Sequence, residues 1–93
     1  MALQFRFKAQ FQKAFSKLPE EKRLLVEKAL EALDDFFVNQ KVPYGLRIKK
    51  LHQHTYEARI SIDLRLVWVR FEDEVIFCLI GNHDDVKRFI KSL

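Results

Sequence analysis

The chain is poor in the residues that mark several classes of protein. Its 93 residues include one cysteine, two glycines and two prolines. A single cysteine excludes an intrachain disulfide framework. So few glycines and prolines exclude a collagen-like or low-complexity chain. No apolar run approaches the roughly 20 residues that a membrane-spanning helix requires, so we expect no membrane association.

The first residues also lack the pattern of a secretory signal peptide. Arg6, Lys8 and Lys13 interrupt every apolar run there, whereas a signal peptide needs an apolar stretch of about 7–15 residues. The one cysteine, Cys78, lies inside an apolar run. We therefore expect a reducing, cytoplasmic setting. The length suffices for one hydrophobic core, so residues 1–93 are expected to form a single domain.

Positive charge is concentrated in the middle of the chain. Residues 41–70 carry seven Lys and Arg against two Asp and Glu, whereas residues 1–40 carry seven against six and residues 71–93 three against five. Such a concentration indicates a polyanionic partner or an acidic protein partner. A net charge of +4 also fits a simple role in solubility, and that alternative stays open.

The apolar periodicity of the first half predicts a strand and two helices. Residues 3–7 alternate between apolar and polar, as a half-buried strand does, and residues 9–17 have the spacing of a short helix. Pro19 and the two glutamates after it predict the start of an amphipathic helix that runs to about Asn39. The two helices would form an antiparallel hairpin with one apolar face towards a sheet.

The second half predicts that sheet. After a break at Pro43 and Gly45, residues 47–51 form either a short strand or an extended arm. Asp84 is predicted to cap a final helix. The expected order is βααβββα, an α+β fold with one layer of helices on a mostly antiparallel sheet. The three strands before the final helix are predicted at residues 56–62, 64–71 and 75–80, and the last has no polar position, as expected of a strand covered on both faces.

The order of motifs resembles a known family. A basic segment comes first, then two arginine-bearing strands, then an apolar strand that ends directly in a polar segment. The stretches that carry the resemblance are residues 46–51 (LRIKKL), 56–60 (YEARI), 63–68 (DLRLVW) and 80–85 (IGNHDD). This progression is similar to that of the RelE/ParE superfamily, the toxins of bacterial and archaeal toxin–antitoxin pairs. The resemblance spans nearly the whole chain and implies the RelE/ParE-like fold.

The RelE-like branch of this superfamily implies a ribosome-dependent endoribonuclease that cuts mRNA without a metal or cofactor. The 2′-hydroxyl of one nucleotide attacks its own 3′-phosphate and expels the 5′-oxygen of the next nucleotide. The protein must hold the RNA in line, accept one proton, donate another and stabilise the charge that develops on phosphorus. The resemblance also implies a small cognate antitoxin as a partner in a hetero-oligomer, beside the ribosome and mRNA.

Matched position by position, the resemblance assigns roles to the basic residues. Arg65 stands at the phosphate-stabilising arginine, Arg59 at a basic position of the preceding strand, and His83 where relatives carry a His or Arg that acts as acid or base. His54 is the fourth predicted catalytic residue, because the resemblance to histidine-using relatives implies that His52, His54 and His83 share the proton transfer. The predicted RNA-binding residues are Arg47, Lys49, Lys50, His52 and Arg70.

Two positions depart from the RelE pattern. Glu57 stands where relatives often carry a basic residue, and no tyrosine follows His83, only Phe89. These departures leave room for a ParE-like toxin that binds DNA gyrase without catalysis. They also leave room for a domain that has lost its toxicity and retains only antitoxin binding.

Simpler structural interpretations compete with each functional one. Arg59 and Arg65 could be solvent-facing strand residues that pair across the ladder with Glu57 and Asp63. Trp68 is expected to pack in the core rather than to stack on a base. The competing structural role for His83 is that of a turn residue.

The histidines also allow a metal interpretation. His52 and His54 have His-x-His spacing, and His83 or Cys78 could add a further ligand. That spacing alone is a weak signal, and Cys78 lies in an apolar run. We therefore expect no metal.

Overall fold

The computed structural model describes residues 3–41 and 45–93, and it confirms the predicted α+β fold. The segment that the sequence left open is a strand, so four strands rather than three separate the second helix from the last. Gly45 has a φ of +87°, whereas Pro43, predicted to break the chain beside it, lies outside the described residues. The elements in chain order are β1 (Gln4–Phe7), α1 (Ala9–Lys17), α2 (Glu20–Asn39), β2 (Arg47–Lys50), β3 (Thr55–Ser61), β4 (Leu64–Phe71), β5 (Glu74–Gly81) and α3 (His83–Lys91).

The five strands form one mixed sheet in the order β1-β5-β4-β3-β2. Strands β2, β3, β4 and β5 pair antiparallel with one another, so the sheet is mostly antiparallel, as predicted. Strand β1 runs parallel to β5, with Phe5 opposite Val75. The first strand of the chain therefore lies beside the last strand, and β1 and β2 are the two edges of the sheet.

The helical hairpin covers one face of this sheet, which we call the hairpin face. Helix α2 buries Val26, Leu33 and Phe37 on one side, as its apolar periodicity predicts. Trp68 of β4 is 1% exposed and packs against the Phe37 ring with centroids 5.7 Å apart, which confirms its predicted place in the core. Although α2 is the longest helix of the described segments, neither it nor the others combine the length and apolarity needed to cross a membrane.

Helix α3 packs on the other face of the sheet, which we call the α3 face, so the prediction of a single layer of helices is wrong. Its Val86 belongs to a second apolar cluster with Val67 of β4 and Leu79 of β5, which lie directly opposite each other. Strand β5 is therefore covered on both faces, as its uniformly apolar sequence predicts. Helix α3 lies over β4 and β5, and strands β2 and β3 extend the α3 face beside it.

The start of α3 differs from the prediction, because the cap is Asn82 and not Asp84. The Asn82 side chain accepts the backbone N–H of Asp85, and the Asp85 carboxylate accepts the backbone N–H of Asn82, both at 2.9 Å. This reciprocal pair is a capping box, in which the side chain three positions after the cap accepts the backbone N–H of the cap residue. Asp85 lies three positions after Asn82, so Asn82 is the cap and the helix begins at His83.

Candidate functional site

Three arginines stand in one row across the sheet. Arg47 of β2 lies directly opposite Arg59 of β3, and Arg59 lies directly opposite Arg65 of β4. Directly opposite side chains point to the same face, and neighbouring strands lie about 4.8 Å apart. Arg65 is two residues from Val67 and shares its face, so this arginine row lies on the α3 face. The next position of the row, on β5, is Gly81.

The arginine row is poorly neutralised by the protein itself. Among the described residues, its one ion pair joins Arg65 to Glu57, while Asp63 instead accepts a hydrogen bond from Lys22 at 2.9 Å. The sequence also allowed Arg59 and Arg65 to pair with Glu57 and Asp63, and of these two arginines only Arg65 forms such a pair. Like charges directly opposite each other destabilise a sheet. An anion placed over the row would remove that repulsion.

Glu57 and Arg65 form a buried ion pair. Glu57 is 4% exposed, the Arg65 side chain is 17% exposed, and Glu57 Oε1 lies 2.6 Å from Arg65 Nη1. A buried carboxylate is tolerated only when it is paired, so the burial of Glu57 requires this contact. The sequence marks Glu57 as a departure from the family pattern, but the pairing appears only in three dimensions.

His83 lies at the same end of the strands as the arginine row. It follows Gly81, the residue opposite Arg65, by two positions and is exposed as the first residue of α3. A Cβ on Gly81 would lie 2.6 Å from the Asp85 Cβ, so the absence of a side chain there lets α3 turn closely over the end of β5. An exposed imidazole in this place can accept or donate a proton.

The histidines between β2 and β3 lie at the other end of the strands. The His54 ring packs on Phe71 with centroids 4.6 Å apart, and Phe71 ends β4. Phe71 lies six positions beyond Arg65 along β4, a distance of about 20 Å. His52 is exposed in the same turn. The structure therefore places His83 at the same end of the sheet as the arginine row, and it places His54 and His52 at the other end.

The remaining predicted RNA-binding residues divide between the two faces. Lys49 lies directly opposite Glu57 and so shares the α3 face with the arginine row. Lys50, the next residue along β2, points to the hairpin face. Arg70 also lies on the hairpin face, where its guanidinium carbon is 5.7 Å from the centre of the Phe37 ring. Lys49 therefore joins the row, whereas Lys50 and Arg70 do not.

The described residues do not assemble a metal site. Within the segments 3–41 and 45–93, no three His, Cys, Asp or Glu side chains converge in a way that could hold a metal ion. Cys78 is buried in β5, and burial raises the pKa of its thiol. A buried, protonated thiol is a poor ligand and a poor nucleophile.

Comparisons with known proteins identify the fold. No protein-family model and no curated protein matches the sequence. A chain of the RelB–RelE antitoxin–toxin complex of Methanococcus jannaschii superposes with a TM-score of 0.66 at 15% identity, over 90% of this chain and 96% of that chain. A chain of the E. coli DinJ–YafQ complex gives 0.70 at 14% identity, over 90% and 97%. The chain has the RelE toxin fold.

A third solved structure agrees with this assignment. The YoeB dimer of Staphylococcus aureus gives a TM-score of 0.68 at 20% identity, over 89% of this chain and 99% of that chain. These three chains are thus matched over almost their full length, and the fold that the motif resemblance implied is confirmed. At identities this low, the superpositions establish the fold alone. Function has to be inferred from the side chains that this chain carries on that fold.

Proposed function

We propose that this chain is the toxin of a toxin–antitoxin pair and that it inhibits translation by cleaving mRNA on the ribosome. The observation that carries this proposal is the arginine row, Arg47, Arg59 and Arg65, with His83 at its end. The RelE fold supports the toxin role, because solved proteins with this fold occur in antitoxin–toxin complexes.

The arginine row suits the backbone of single-stranded RNA. A guanidinium binds two phosphate oxygens at once through parallel N–H groups, and phosphate contacts do not depend on base identity. In the cleavage reaction negative charge grows on the attacked phosphate, where a fixed cation stabilises it. We assign this stabilisation to Arg65 and Arg59, and we assign to Arg47 and Lys49 the binding of neighbouring phosphates.

Two protons move during the reaction. The P–O2′ bond forms as the P–O5′ bond breaks, so the 2′-hydroxyl loses a proton and the leaving 5′-oxygen gains one. Histidine suits either step, because it changes charge near neutral pH. Among the histidines of the described segments, His83 is the one at the same end of the sheet as the arginine row. We therefore assign to it the proton that the leaving 5′-oxygen receives, and the proton of the 2′-hydroxyl passes to water.

The same basic surface explains the expected partner. A small antitoxin with an acidic segment would cover the arginine row and compete with RNA for the same cations. Ribosome-bound mRNA as the target places the protein in the cytoplasm. The free toxin needs no metal in this scheme, because its own cations stabilise the phosphate.

The test is primer extension on a defined mRNA in cell-free translation, with and without the purified protein. New 3′ ends within ribosome-occupied codons, absent when ribosomes are omitted, are the expected result. Arg59→Ala should lower cleavage, since it removes the central cation of the row. Arg6→Ala is the matched control, because Arg6 is an exposed arginine on β1, at the opposite edge of the sheet.

Two other outcomes separate the alternative functions. If the message stays intact while the protein arrests growth, the nuclease proposal fails and a gyrase supercoiling assay tests the ParE-like alternative. If neither activity is found while an antitoxin still binds, the chain is a binding module. In both cases Arg59→Ala should leave growth unchanged relative to the unmodified protein.

A further inference from the structure

We propose that Glu57 is a positioning residue that orients the Arg65 guanidinium so that one defined edge of it faces an RNA phosphate. This inference rests on the proposed nuclease function and deepens it. It is carried by the buried contact between the two side chains and by a donor atom that this contact leaves unpaired. It also gives a role to the carboxylate that departs from the basic residue often found at this position.

Glu57 contacts Arg65 although another cation lies closer along the ladder. The residues directly opposite Glu57 are Lys49 on β2 and Val67 on β4. Arg65 is diagonal to Glu57, at a separation that long side chains bridge. Glu57 nevertheless pairs with Arg65, at 2.6 Å from Oε1 to Nη1. The carboxylate therefore holds the arginine and leaves Lys49 exposed.

The contact leaves one edge of the Arg65 guanidinium unused. Nη1 donates to Glu57, and Nε is buried without a partner among the described residues. An unpaired buried donor is costly and is rare in folded proteins. The Nε–H and one Nη2–H lie parallel on the same edge of the group, and this pair matches two oxygens of a phosphate. Because Nε is buried, a phosphate satisfies this donor only if the side chains around it move aside.

The pairing divides the arginine row into one fixed and two adaptable cations. Arg65 has a 17% exposed side chain and a carboxylate partner. Arg47 and Arg59 have no carboxylate partner among the described residues. A fixed guanidinium pays little ordering cost when the charge on phosphorus develops. Arg59 can adjust to the attacked phosphate from beside Arg65, and Arg47 suits a neighbouring phosphate, whose position need not be exact.

The direct test is an NMR titration of the intact protein with inorganic phosphate, observed at the arginine Nε–Hε signals. In the unmodified protein the Arg65 signal should shift with phosphate, while the signal of Arg88, on the outer side of α3, should not. Glu57→Gln should reduce the Arg65 shift at least about threefold. Glu74→Gln, which removes the exposed partner of Arg6, should leave it unchanged. An Arg65 shift that is absent, or equal in Glu57→Gln, overturns the proposal.

Cleavage kinetics provide the second readout. Glu57→Gln should lower kcat about 10- to 100-fold, because a misplaced reacting group has an effect of this order, with KM changed less than about threefold. Glu57→Asp, which keeps the charge, should restore part of the loss. Glu57→Gln should have no further effect in an Arg65→Lys background, since an ammonium has no edge to orient. Additive losses in the two backgrounds contradict the inference.

The two readouts separate this inference from the proposed function. If the unmodified protein cleaves RNA and Glu57→Gln cleaves equally well, the positioning role is wrong and the nuclease function stands. If the unmodified protein cleaves no RNA but the phosphate shift depends on Glu57, the nuclease function is wrong and the oriented anion site stands. Urea unfolding of each variant establishes that the kinetic measurements are made on folded protein. If Glu57→Gln does not fold, Glu57→Asp, which shortens the side chain that reaches Arg65, carries the same tests with a smaller expected loss.

Discussion

Arg59 lies directly opposite Arg65 in the ladder between β3 and β4, and on its other side it lies directly opposite Arg47. A cation between two cations weakens a sheet, because cross-strand pairs contribute up to about 1 kcal/mol in either direction. This repulsion lies at a place on the sheet where a bound anionic ligand would remove it. Such a conflict between stability and activity is common at functional sites.

The first prediction concerns this repulsion. Arg59→Thr should raise the free energy of unfolding by about 0.5 kcal/mol, because it removes the central charge and places a good strand former there. The measurement is urea unfolding followed by the fluorescence of the buried Trp68. The same change at Arg6, whose ion pair with Glu74 is exposed, should not stabilise the protein. A less stable Arg59→Thr protein would contradict the interpretation of the row as mutually repulsive.

The second prediction concerns the buried ion pair. Arg65→Ala should lower the free energy of unfolding by about 2–4 kcal/mol, because Glu57 is then left buried without its partner. Replacing both residues, Glu57→Leu with Arg65→Met, should recover most of that loss, since no charge remains buried. Urea unfolding of the single and double variants measures the difference. A double variant as unstable as Arg65→Ala would show that the burial of Glu57 is not the cause.

The third prediction distinguishes the observed cap of α3 from the one that the sequence suggested. Asn82→Ala should cost about 1 kcal/mol of stability, because it removes an N-cap side chain. Asp84→Ala is the matched control and should change stability by less than about 0.5 kcal/mol. Gly81→Ala should also destabilise the protein, because the new Cβ would lie 2.6 Å from that of Asp85. Urea unfolding, with hydrogen exchange of the α3 amides, measures all three.

The fourth prediction is a pH effect at the turn between β3 and β4. The hydrogen bond from Lys22 and a second from Ser61 lower the pKa of Asp63 below its ordinary 3.8. Its contribution to stability is therefore fully present above pH 3.8 and is lost as the pH falls through the lower pKa of the folded state. Lys22→Met should raise this pKa towards the ordinary value, as measured by NMR titration of the Asp63 carboxyl carbon. An unchanged pKa of Asp63 in Lys22→Met would show that the lysine is not the main cause of the lowered pKa.

The helices were predictable because each has one continuous apolar side. The periodicity placed α1 at Ala9–Lys17 and ended α2 at Asn39, and both agree with the structure. Strand β2 was harder to predict, because its four residues, RIKK, form an edge with one apolar position and show no alternation. Its pairing with β3 depends on contacts that are distant in sequence, which local patterns do not contain.

The candidate site was predictable only in part. The sequence places Arg59 and Arg65 on adjacent strands. It does not show that they lie opposite each other with Arg47 beside them, because that depends on the register of three strands. The period of two along a strand does separate Arg70 from Arg65, because they are five residues apart on β4 and point to opposite faces. The remote position of His54 depends on the length of β4, which sets the distance between the two ends of the sheet.

The parallel pairing of β1 with β5 bears on how the protein is made. Phe5 pairs with Val75, so β1 has no neighbour in the sheet until β5, about 70 residues further along the chain, has been synthesised. Pairings this distant in sequence form late and slowly. Helix α3, which begins with His83, follows β5 directly. A nascent chain therefore cannot complete the α3 face until residues 74–91 have been synthesised.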